Sequence, residues 1–375
     1  MATPNQNKKF MERLLKGPGA ATQRNVHADV LRTPSPSLNW TFGLGQGLPK
    51  GYTMLLFGPP RGGKSIICNA FAGQLHQDNP NAFVIKFDTE YRQEAQADIS
   101  QRAMWGIDEQ RYIGYDRNDP ELFDYIATEI DAMCDDGMEV GLLIIDSTNM
   151  IQGVRGEKAG AGNIMTTQMG DNAITIQNGL KNIIRVQRKH HFGVILTCHI
   201  RSQFDVKTAG SHIVHTSQTA AVRPAASYAL LHGCEYYMYV NPAGGAEAKT
   251  DLLGNEFRDN SVEDLNGKGD KIAHKVRVRM LDSSFGPKGR EGEFTLNYDK
   301  GIVNAHEEVF LLGVARGIIE KPNNSMYSFN GTEWRGKPAI LEALRTEPDL
   351  QKAVLAEIKR RDLAVKYTSS QEESP

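Results

Sequence analysis

The chain of 375 residues is long enough for one large domain with smaller appended parts and a sizeable buried core. Its formal net charge of -2 excludes a global positive field, so any affinity for nucleic acid has to come from local basic clusters. No apolar stretch reaches the roughly 18 residues of a membrane span, and the N-terminus lacks the apolar core of a signal peptide. The four cysteines form no CxxC pair, which indicates reduced thiols and a cytoplasmic protein that does not contact a membrane.

Short apolar runs in the first half of the chain predict buried strands over 53–58, 82–88, 140–146 and 192–198. These runs are apolar on both faces, as are parallel strands that helices cover on both sides. Segments with helical character lie among them, over 64–77, 119–134 and 169–190. The alternation of strands and helices predicts an α/β fold with a mostly parallel central sheet.

The second half of the chain has a different pattern. After about residue 232, three segments alternate apolar and polar residues, which predicts antiparallel strands appended to the sheet edge. A compact C-terminal part follows, with helices expected near 306–316 and around 348–361. Between them, the sequence predicts a hairpin that turns at Asn330-Gly331. The last polar residues, KYTSSQEESP, predict a disordered end.

A glycine-rich segment directly after the first strand carries the strongest chemical signal. It matches G-x-x-x-x-G-K-[ST] and stands between a strand and a helix, the context that this phosphate-binding motif requires. Backbone N–H groups of such a loop wrap phosphates, while Lys64 reaches the β/γ oxygens and Ser65 binds Mg²⁺. The alternative is a glycine-rich turn that only connects the two elements. We therefore expect ATP and Mg²⁺ as cofactors, held by Gly58, Pro59, Pro60, Arg61, Gly62, Gly63, Lys64 and Ser65.

Two acidic positions add to this chemistry. Asp146 ends the strand at 140–146, where a carboxylate can hold Mg²⁺ directly or through water. Its alternative role is to cap the next turn. Glu90 follows Asp88 at the end of the second strand, one strand from the phosphate loop, and could polarise the attacking water as a general base. For Glu90, an exposed loop acid without a catalytic role is the alternative.

The chain resembles the RecA-type homologous recombinases in the segments TPSPSLNWTFGLGQGLPKGYTMLLFGPPRGGKS, DTE, LLIIDS and LTCHIR. The stretch from GEFTLNYDKGIV to LQKAVLAEI is similar, in the same order, to the end of the RecA core and its small C-terminal domain. This resemblance implies an N-terminal oligomerisation segment over 1–35, a RecA-like ATPase core over 36–303 and a small α/β domain over 304–375. His199 stands where bacterial RecA carries a glutamine and the phage UvsX branch has a histidine.

The resemblance implies a DNA-dependent ATPase that forms helical homo-oligomeric filaments on single-stranded DNA. Such a protein promotes homologous pairing and strand exchange with double-stranded DNA, and it meets single-strand-binding and loader proteins. By position, Glu90 matches the catalytic glutamate and Asp146 the second acidic motif. Arg277 and Arg279 fall where the family has two lysines that reach the γ-phosphate of the neighbouring subunit, which would make hydrolysis depend on assembly. Their spacing with Lys275 also fits one solvated face of a strand.

The resemblance also places a DNA channel along two segments, 152–168 and 201–227. Sparse positive charge in glycine-rich or polar loops suits a phosphate backbone that is bound without reading its sequence. The expected DNA contacts are Arg155, Lys158, Lys181, Arg201, Lys207 and Arg223. Lys181 also shares a helix face with Arg185 and Arg188, so a solvated face is the alternative for that position.

Cys198 and His199 stand side by side at the end of the fourth strand, which raises three possibilities: a metal site, a nucleophile with its base, or a ligand sensor. Zinc would need further ligands, and the nearest histidines, His212 and His215, lie in the second expected DNA loop. Adjacent residues on a strand point to opposite faces and cannot hydrogen-bond as a pair. We therefore expect Cys198 to be a packed core residue and His199 to sense the γ-phosphate, linked through Arg201 to that loop.

Two other functions remain open at this stage. A hexameric replicative helicase of the same ATPase superfamily would form rings and unwind DNA directionally, but no helicase-type N-terminal domain precedes the expected core. A mediator or regulatory paralogue would bind nucleotide and partner subunits without catalysis. The presence of Lys64, Ser65, Glu90 and Asp146 argues against that function, since a chain without catalysis would be free to lose them.

Overall fold

The computed structural model describes residues 29–43, 46–92, 96–151, 171–202, 222–224, 228–243 and 273–372. Its centre is a nine-stranded sheet, mostly parallel, with helices on both faces. The α/β class predicted from the sequence is therefore confirmed. Within the described part of the chain, no helix is both long and apolar enough to span a membrane.

The strands in the first part of the chain are β1 (Val30–Leu31), β2 (Leu48–Pro49), β3 (Thr53–Phe57), β4 (Ala82–Asp88), β5 (Tyr112–Asp116), β6 (Glu139–Asp146), β7 (Gly193–Cys198), β8 (Ile200–Ser202) and β9 (Val222–Pro224). Those that follow are β10 (Tyr236–Ala243), β11 (Ala273–Ser283), β12 (Glu291–Asn297), β13 (Gly301–Val303), β14 (Glu320–Asn323), β15 (Met326–Phe329) and β16 (Thr332–Arg335). The helices are α1 (Pro36–Thr41), α2 (Lys64–Asp78), α3 (Gln96–Met104), α4 (Leu122–Asp135), α5 (Asp171–His190), α6 (Tyr228–Gly233), α7 (Ala305–Ala315), α8 (Lys337–Thr346) and α9 (Pro348–Glu372).

The order of strands across the central sheet is β13-β12-β11-β10-β3-β7-β6-β4-β5. The six strands from β10 to β5 run parallel, and β11 to β13 continue the sheet in antiparallel fashion. The sequence predicts an antiparallel strand over the segment at 236–243, and this prediction is wrong for its pairing with β3. β10 pairs parallel with β3 and antiparallel with β11, because α6 precedes it and allows the chain to enter the sheet in the parallel direction.

Alternate residues of the same strand pack into two different layers of the core. On β6, Leu142 and Ile144 contact the layer that contains α2, while Leu143 and Ile145 contact the layer that contains α4 and α5. Burial on both faces explains why these strands appear in the sequence as uninterrupted apolar runs rather than as alternating ones.

Residues after 304 form their own apolar cluster around Phe310, Ile319, Ile340 and Val354. The predicted hairpin is confirmed: β15 and β16 pair with Phe329 opposite Thr332, and the two turn residues have φ values of 50° and 80°. Both angles are positive, which Asn-Gly accommodates more readily than most sequences. The polar end expected to be disordered is instead helical as far as Glu372, because α9 continues without a proline or glycine to end it.

Two buried acidic side chains, Glu308 and Asp362, join α1 and its N-cap to this C-terminal part. The Oε2 atom of Glu308 accepts hydrogen bonds from Ser35 Oγ at 2.6 Å, Ser37 Oγ at 2.8 Å and the Ser37 backbone N–H at 3.0 Å. On α9, Asp362 accepts a hydrogen bond from Trp40 Nε1 and pairs with Arg290 at 2.9 Å. These contacts fix the first described helix between the central sheet and α9.

Burial raises the pKa of Glu308 to about 8, against the opposing hydrogen bonds from Ser35 and Ser37 and with a smaller contribution from the negative charge of Glu293. A carboxyl whose folded pKa is raised keeps its proton in the native state, so its stabilising contribution is present below pH 4.5 and is lost as the pH rises towards 8.

We predict that Glu308→Gln removes the loss of stability with rising pH, because glutamine is a neutral side chain of the same size at every pH. Between pH 5.5 and pH 7, the free energy of unfolding of the variant should rise relative to wild type by up to about 1.4 kcal/mol per pH unit. Urea unfolding at several pH values measures the difference. Glu307→Gln, a change at the neighbouring and partly exposed position, is the control and should show no comparable trend.

Candidate functional site

The phosphate-loop sequence lies between the end of β3 and the start of α2, at the carboxyl edge of the parallel strands. Its backbone turns through Arg61 with a φ of 60° and Gly63 with a φ of 100°. At Gly58, a Cβ atom would lie 2.2 Å from the carbonyl oxygen of Val240 on β10, so only glycine fits there. The loop therefore presents backbone N–H groups and the N-terminus of α2 to the space above the sheet.

An open pocket of about 650 Å³ fills that space. The loop from Pro60 to Ser65 lines it, together with the ends of β4 and β6, helix α3, strand β11 and the turn between β12 and β13. The other residues that line it are Ile66, Lys86, Asp88, Glu90, Arg92, Asp98, Gln101, Asp146, His199, His274 and Tyr298. The structure thus brings Lys64, Ser65, Glu90, Asp146 and His199 together around one cavity.

The Lys64 ammonium folds back onto its own loop, where it donates hydrogen bonds to the carbonyl oxygens of Gly58 at 3.1 Å and Pro59 at 2.9 Å. Burial lowers the pKa of Lys64, and the nearby charge of Asp146 opposes that shift. The two carbonyl partners are weak compared with an anion. The ammonium can therefore exchange them for phosphate oxygens within the same pocket.

Asp146 ends β6 almost fully buried, with both carboxylate oxygens hydrogen-bonded. Oδ2 accepts a hydrogen bond from Ser65 Oγ at 2.7 Å, and Oδ1 accepts one from Thr197 Oγ1 at 2.6 Å. Burial by itself would raise the pKa of Asp146, but the Lys86 ammonium and these two hydrogen bonds outweigh it and hold the pKa below its ordinary value. An ionised carboxylate next to a hydroxyl is an oxygen-donor pair that fits Mg²⁺.

Glu90 lies just past β4 and is hydrogen-bonded rather than free in a loop. Its Oε1 accepts a hydrogen bond from Ser147 Oγ at 3.2 Å and lies 3.7 Å from His199 Nε2. The sequence predicts that the strand before Glu90 is the direct neighbour of the strand before the phosphate loop, and this prediction is wrong. β7 and β6 both lie between β3 and β4, because the chain returns from the edge strand β5 to fill the centre of the sheet.

His199 follows β7, and its backbone N–H donates a hydrogen bond to Asn149 Oδ1 at 2.7 Å. Cys198 is fully buried in the helix-facing core layer, as predicted. Among the described residues, one group of three His, Cys, Asp or Glu side chains is close enough to share a metal ion, namely Asp131, Asp135 and His190, and it contains neither Cys198 nor His199.

A charge network of buried side chains in the wall of the pocket was not identified from the sequence. The Lys86 side chain is 2% exposed, and its Nζ lies 3.9 Å from Asp88 Oδ2 and 3.8 Å from Asp98 Oδ1. Asp98 in turn pairs with Arg102 on α3. Burial raises the pKa of Asp88, and the Lys86 ammonium opposes that rise. The available signal was a lysine in the middle of the apolar strand AFVIKFD, where an unpaired charge would be costly.

Two aromatic rings lie at the rim of the pocket. His274 Nδ1 is 3.0 Å from the Tyr298 hydroxyl, the ring centroids are 5.4 Å apart, and the Tyr298 residue is 46% exposed. An exposed ring beside a phosphate loop can stack on a planar base.

Arg277 and Arg279 lie on β11 outside the residues that line the pocket of their own chain. They form ion pairs with acidic residues of the neighbouring strand β12. Arg277 Nη2 is 2.9 Å from Glu293 Oε2, and Arg279 Nε is 3.4 Å from Glu291 Oε1. The three basic residues of this face are half-buried and ion-paired, and Lys275 also approaches Glu293. A role of these arginines in a neighbouring subunit stays a prediction.

The predicted DNA contacts are only partly described. Lys181 is exposed on α5, on a solvated face where Arg185 pairs with Asp131 and Arg188 with Glu235. Arg201 and Arg223 are opposite each other in the backbone pairing of β8 with β9. The remaining positions lie outside the described residues: Arg155, Lys158 and Lys207.

Comparison with known proteins gives matches to RecA. The chain is 22% identical over 332 residues to protein RecA of Oleidesulfovibrio alaskensis, covering 88% of this chain and 82% of that protein. It is 22% identical over 331 residues to protein RecA of Nautilia profundicola, with the same coverage. Protein RecA 1 of Myxococcus xanthus is 38% identical over 88 residues, which is 23% of this chain and 25% of that protein. No family model matches the chain. Wide matches at this identity support a relationship to the RecA family.

We predict that Lys86→Met destabilises the protein by about 3 kcal/mol, because it leaves the buried carboxylate of Asp88 without its nearest interior cation. Urea unfolding at pH 7 measures this change. Lys352→Met, at a position whose side chain is 78% exposed, is the matched control and should change stability little. Equal stability of the two variants would contradict the role given to the Lys86 ammonium.

Proposed function

We propose that the chain is an ATP-dependent DNA recombinase. It binds ATP and Mg²⁺ in the pocket above the sheet, assembles into a helical filament on single-stranded DNA, and promotes pairing and strand exchange with homologous double-stranded DNA. The observation that carries this proposal is the convergence of the phosphate loop, Asp146 and Glu90 on one cavity. The wide similarity to RecA proteins supports the recombinase role over other ATPase functions.

In this proposal the phosphates lie along the loop from Gly58 to Ser65, with the N-terminus of α2 behind them. Ser65 and Asp146 hold Mg²⁺, which neutralises charge on the phosphate oxygens when it is bound. Lys64 leaves the carbonyl oxygens of its own loop and donates to the terminal phosphate.

Glu90 is proposed as the general base that orients and polarises the attacking water. Its Oε1 is held by Ser147 Oγ and faces His199, so the carboxylate points into the cavity rather than to bulk water. His199 is proposed to respond to the terminal phosphate. It directly precedes β8, which leads to the segment at 201–227 where DNA contacts are expected.

The aromatic pair of Tyr298 and His274 is proposed to contact the base of the nucleotide. These rings lie on the β11–β13 side of the pocket. Arg277 and Arg279, on the same antiparallel edge, are proposed to act on the nucleotide of a neighbouring subunit. The boundaries proposed for the units are 1–35 for oligomerisation, 36–303 for the ATPase core and 304–375 for the C-terminal domain.

A strand-exchange assay tests the proposed function. Wild type should form joint molecules from homologous single- and double-stranded DNA in the presence of ATP and Mg²⁺, and its ATPase activity should rise on addition of single-stranded DNA. Lys64→Ala should lose both activities, because it removes the ammonium that is proposed to move from the loop carbonyls to the terminal phosphate. Arg345→Ala, at an exposed position on α8, is the control. ATPase activity that is indifferent to DNA, or directional unwinding by rings, would contradict the proposal.

The action of Arg277 in a neighbouring subunit predicts complementation between two inactive variants. Arg277→Ala keeps the phosphate loop, and Lys64→Ala keeps the arginines, so each alone should have at least about tenfold lower DNA-stimulated hydrolysis. Mixed filaments contain interfaces with both parts intact and should recover a measurable fraction of the rate. Arg335→Ala serves as a surface control. If Arg277→Ala leaves hydrolysis intact, or if mixing restores nothing, the arginine does not act between subunits.

The position of His199 between the pocket and β8 predicts a separation of two affinities. His199→Ala should bind ATP about as well as wild type, because Lys64 and the loop are untouched, but should lose high-affinity DNA binding in the presence of ATP. Fluorescence anisotropy with labelled single-stranded DNA, with and without ATP, measures this change. His306→Ala, on α7, is the control. Retention of both affinities would refute the sensor role.

A further inference from the structure

Arg92 is a pocket residue to which no sequence motif assigns a role. It lies two positions past Glu90, and its guanidinium extends over the acidic end of the cavity. Its Nη2 atom is 3.1 Å from Glu90 Oε2 and 3.7 Å from Asp146 Oδ2, and its Nε is 4.0 Å from Asp88 Oδ2. One cation therefore approaches the three carboxylates that β4 and β6 bring together.

These carboxylates need neutralisation from both sides. The side chains of Asp88 and Asp146 are 1% and 2% exposed, so water screens their mutual repulsion poorly. Lys86 offsets their charge from the interior, and its ammonium is fixed there by burial. Arg92 offsets it from the open side. The Arg92 side chain is 50% exposed, so it can move into water at small cost, unlike Lys86.

The oxygen that faces Arg92 is also the oxygen expected to hold the metal. Asp146 Oδ2 accepts the hydrogen bond of Ser65 Oγ, and this pair is the Mg²⁺ site of the function proposed above, on which the inference rests. A guanidinium and a divalent cation compete for one carboxylate oxygen, because each attracts the same charge and occupies the same space. The Nη2 atom also bridges to Glu90, so both carboxylates lose a cationic partner when the guanidinium leaves.

We propose that Arg92 is an internal counter-cation at the acidic end of the pocket, where it competes with Mg²⁺ for Asp146. Binding of the bare metal ion is then weak. A metal that arrives with a triphosphate has additional ligands and charge compensation from the phosphate oxygens. The guanidinium thereby links metal binding to nucleotide binding.

Titration with Mn²⁺ in the absence of nucleotide tests this competition, because the paramagnetic ion reports its free concentration directly by electron paramagnetic resonance. Arg92→Gln should bind Mn²⁺ about tenfold more tightly than wild type, which corresponds to about 1.4 kcal/mol. Arg92→Lys, which keeps the positive charge, should show a smaller gain. Arg345→Gln removes an exposed arginine on α8 and should match wild type. Adding Asp146→Asn to Arg92→Gln should abolish the gain and so assign it to this site.

Equal Mn²⁺ affinity of wild type and Arg92→Gln, with the same melting temperature, would overturn the proposal. A gain that survives Asp146→Asn would overturn it as well, since the ion would then be bound elsewhere. The titration contains no nucleotide, so its outcome does not depend on hydrolysis. Absence of ATPase activity in wild type would remove the proposed function, while tighter Mn²⁺ binding by Arg92→Gln would still show the competition for Asp146.

Discussion

Asp88 and Asp146 are directly paired residues on neighbouring parallel strands, so their carboxylates leave the sheet at the same level. On the other side of Asp146, Thr197 reaches its Oδ1 from β7, and Cys198 is paired with Phe57 at the end of β3. Because parallel strands in register end at one edge, the sheet itself brings the phosphate loop and the acidic residues together. This strand register therefore places the acidic residues of the site next to the loop.

The same register creates an electrostatic problem that shapes the rest of the pocket. Carboxylates at adjacent strand ends repel one another in a region with little water. Lys86 neutralises them from the protein interior, and Arg92 does so from the open side of the pocket. Lys64 donates hydrogen bonds to carbonyl oxygens of its own loop. The negative charge of the pocket is thus balanced by cations of the chain itself. In the function proposed above, a nucleotide with its metal would rearrange these ion pairs.

Much of the fold was predictable because its signals are local. Strands such as β6 are buried on both faces and therefore appear as apolar runs, and the turn at Asn330-Gly331 has a preferred backbone geometry. The phosphate loop is equally local, since eight consecutive residues define it. The strand order was less accessible. The position of β7 between β3 and β6 does not follow from the order of the strands along the chain. The parallel pairing of β10 with β3 depends on α6, which precedes β10.

The charge network of the pocket could not be predicted for the same reason. Lys86 was visible as a charge inside an apolar strand, but its partner Asp98 comes from α3, and strand periodicity does not identify that contact. Arg92 lies in a polar stretch of the sequence, where a charged side chain is ordinary. Its position close to both Asp88 and Asp146 follows from the register of β4 with β6. Tyr298 also lines the pocket, although it lies more than two hundred positions after the phosphate loop in the sequence.

Electron cryo-microscopy of the protein assembled on single-stranded DNA, with Mg²⁺ and a non-hydrolysable ATP analogue, tests the central claim most directly. We expect a helical filament with nucleotide between adjacent subunits. The phosphates would lie on residues 58–65 of one subunit, the metal on Ser65 and Asp146, and Arg277 and Arg279 of the next subunit would approach the terminal phosphate. Closed rings, or a nucleotide bound away from this edge of the sheet, would contradict it.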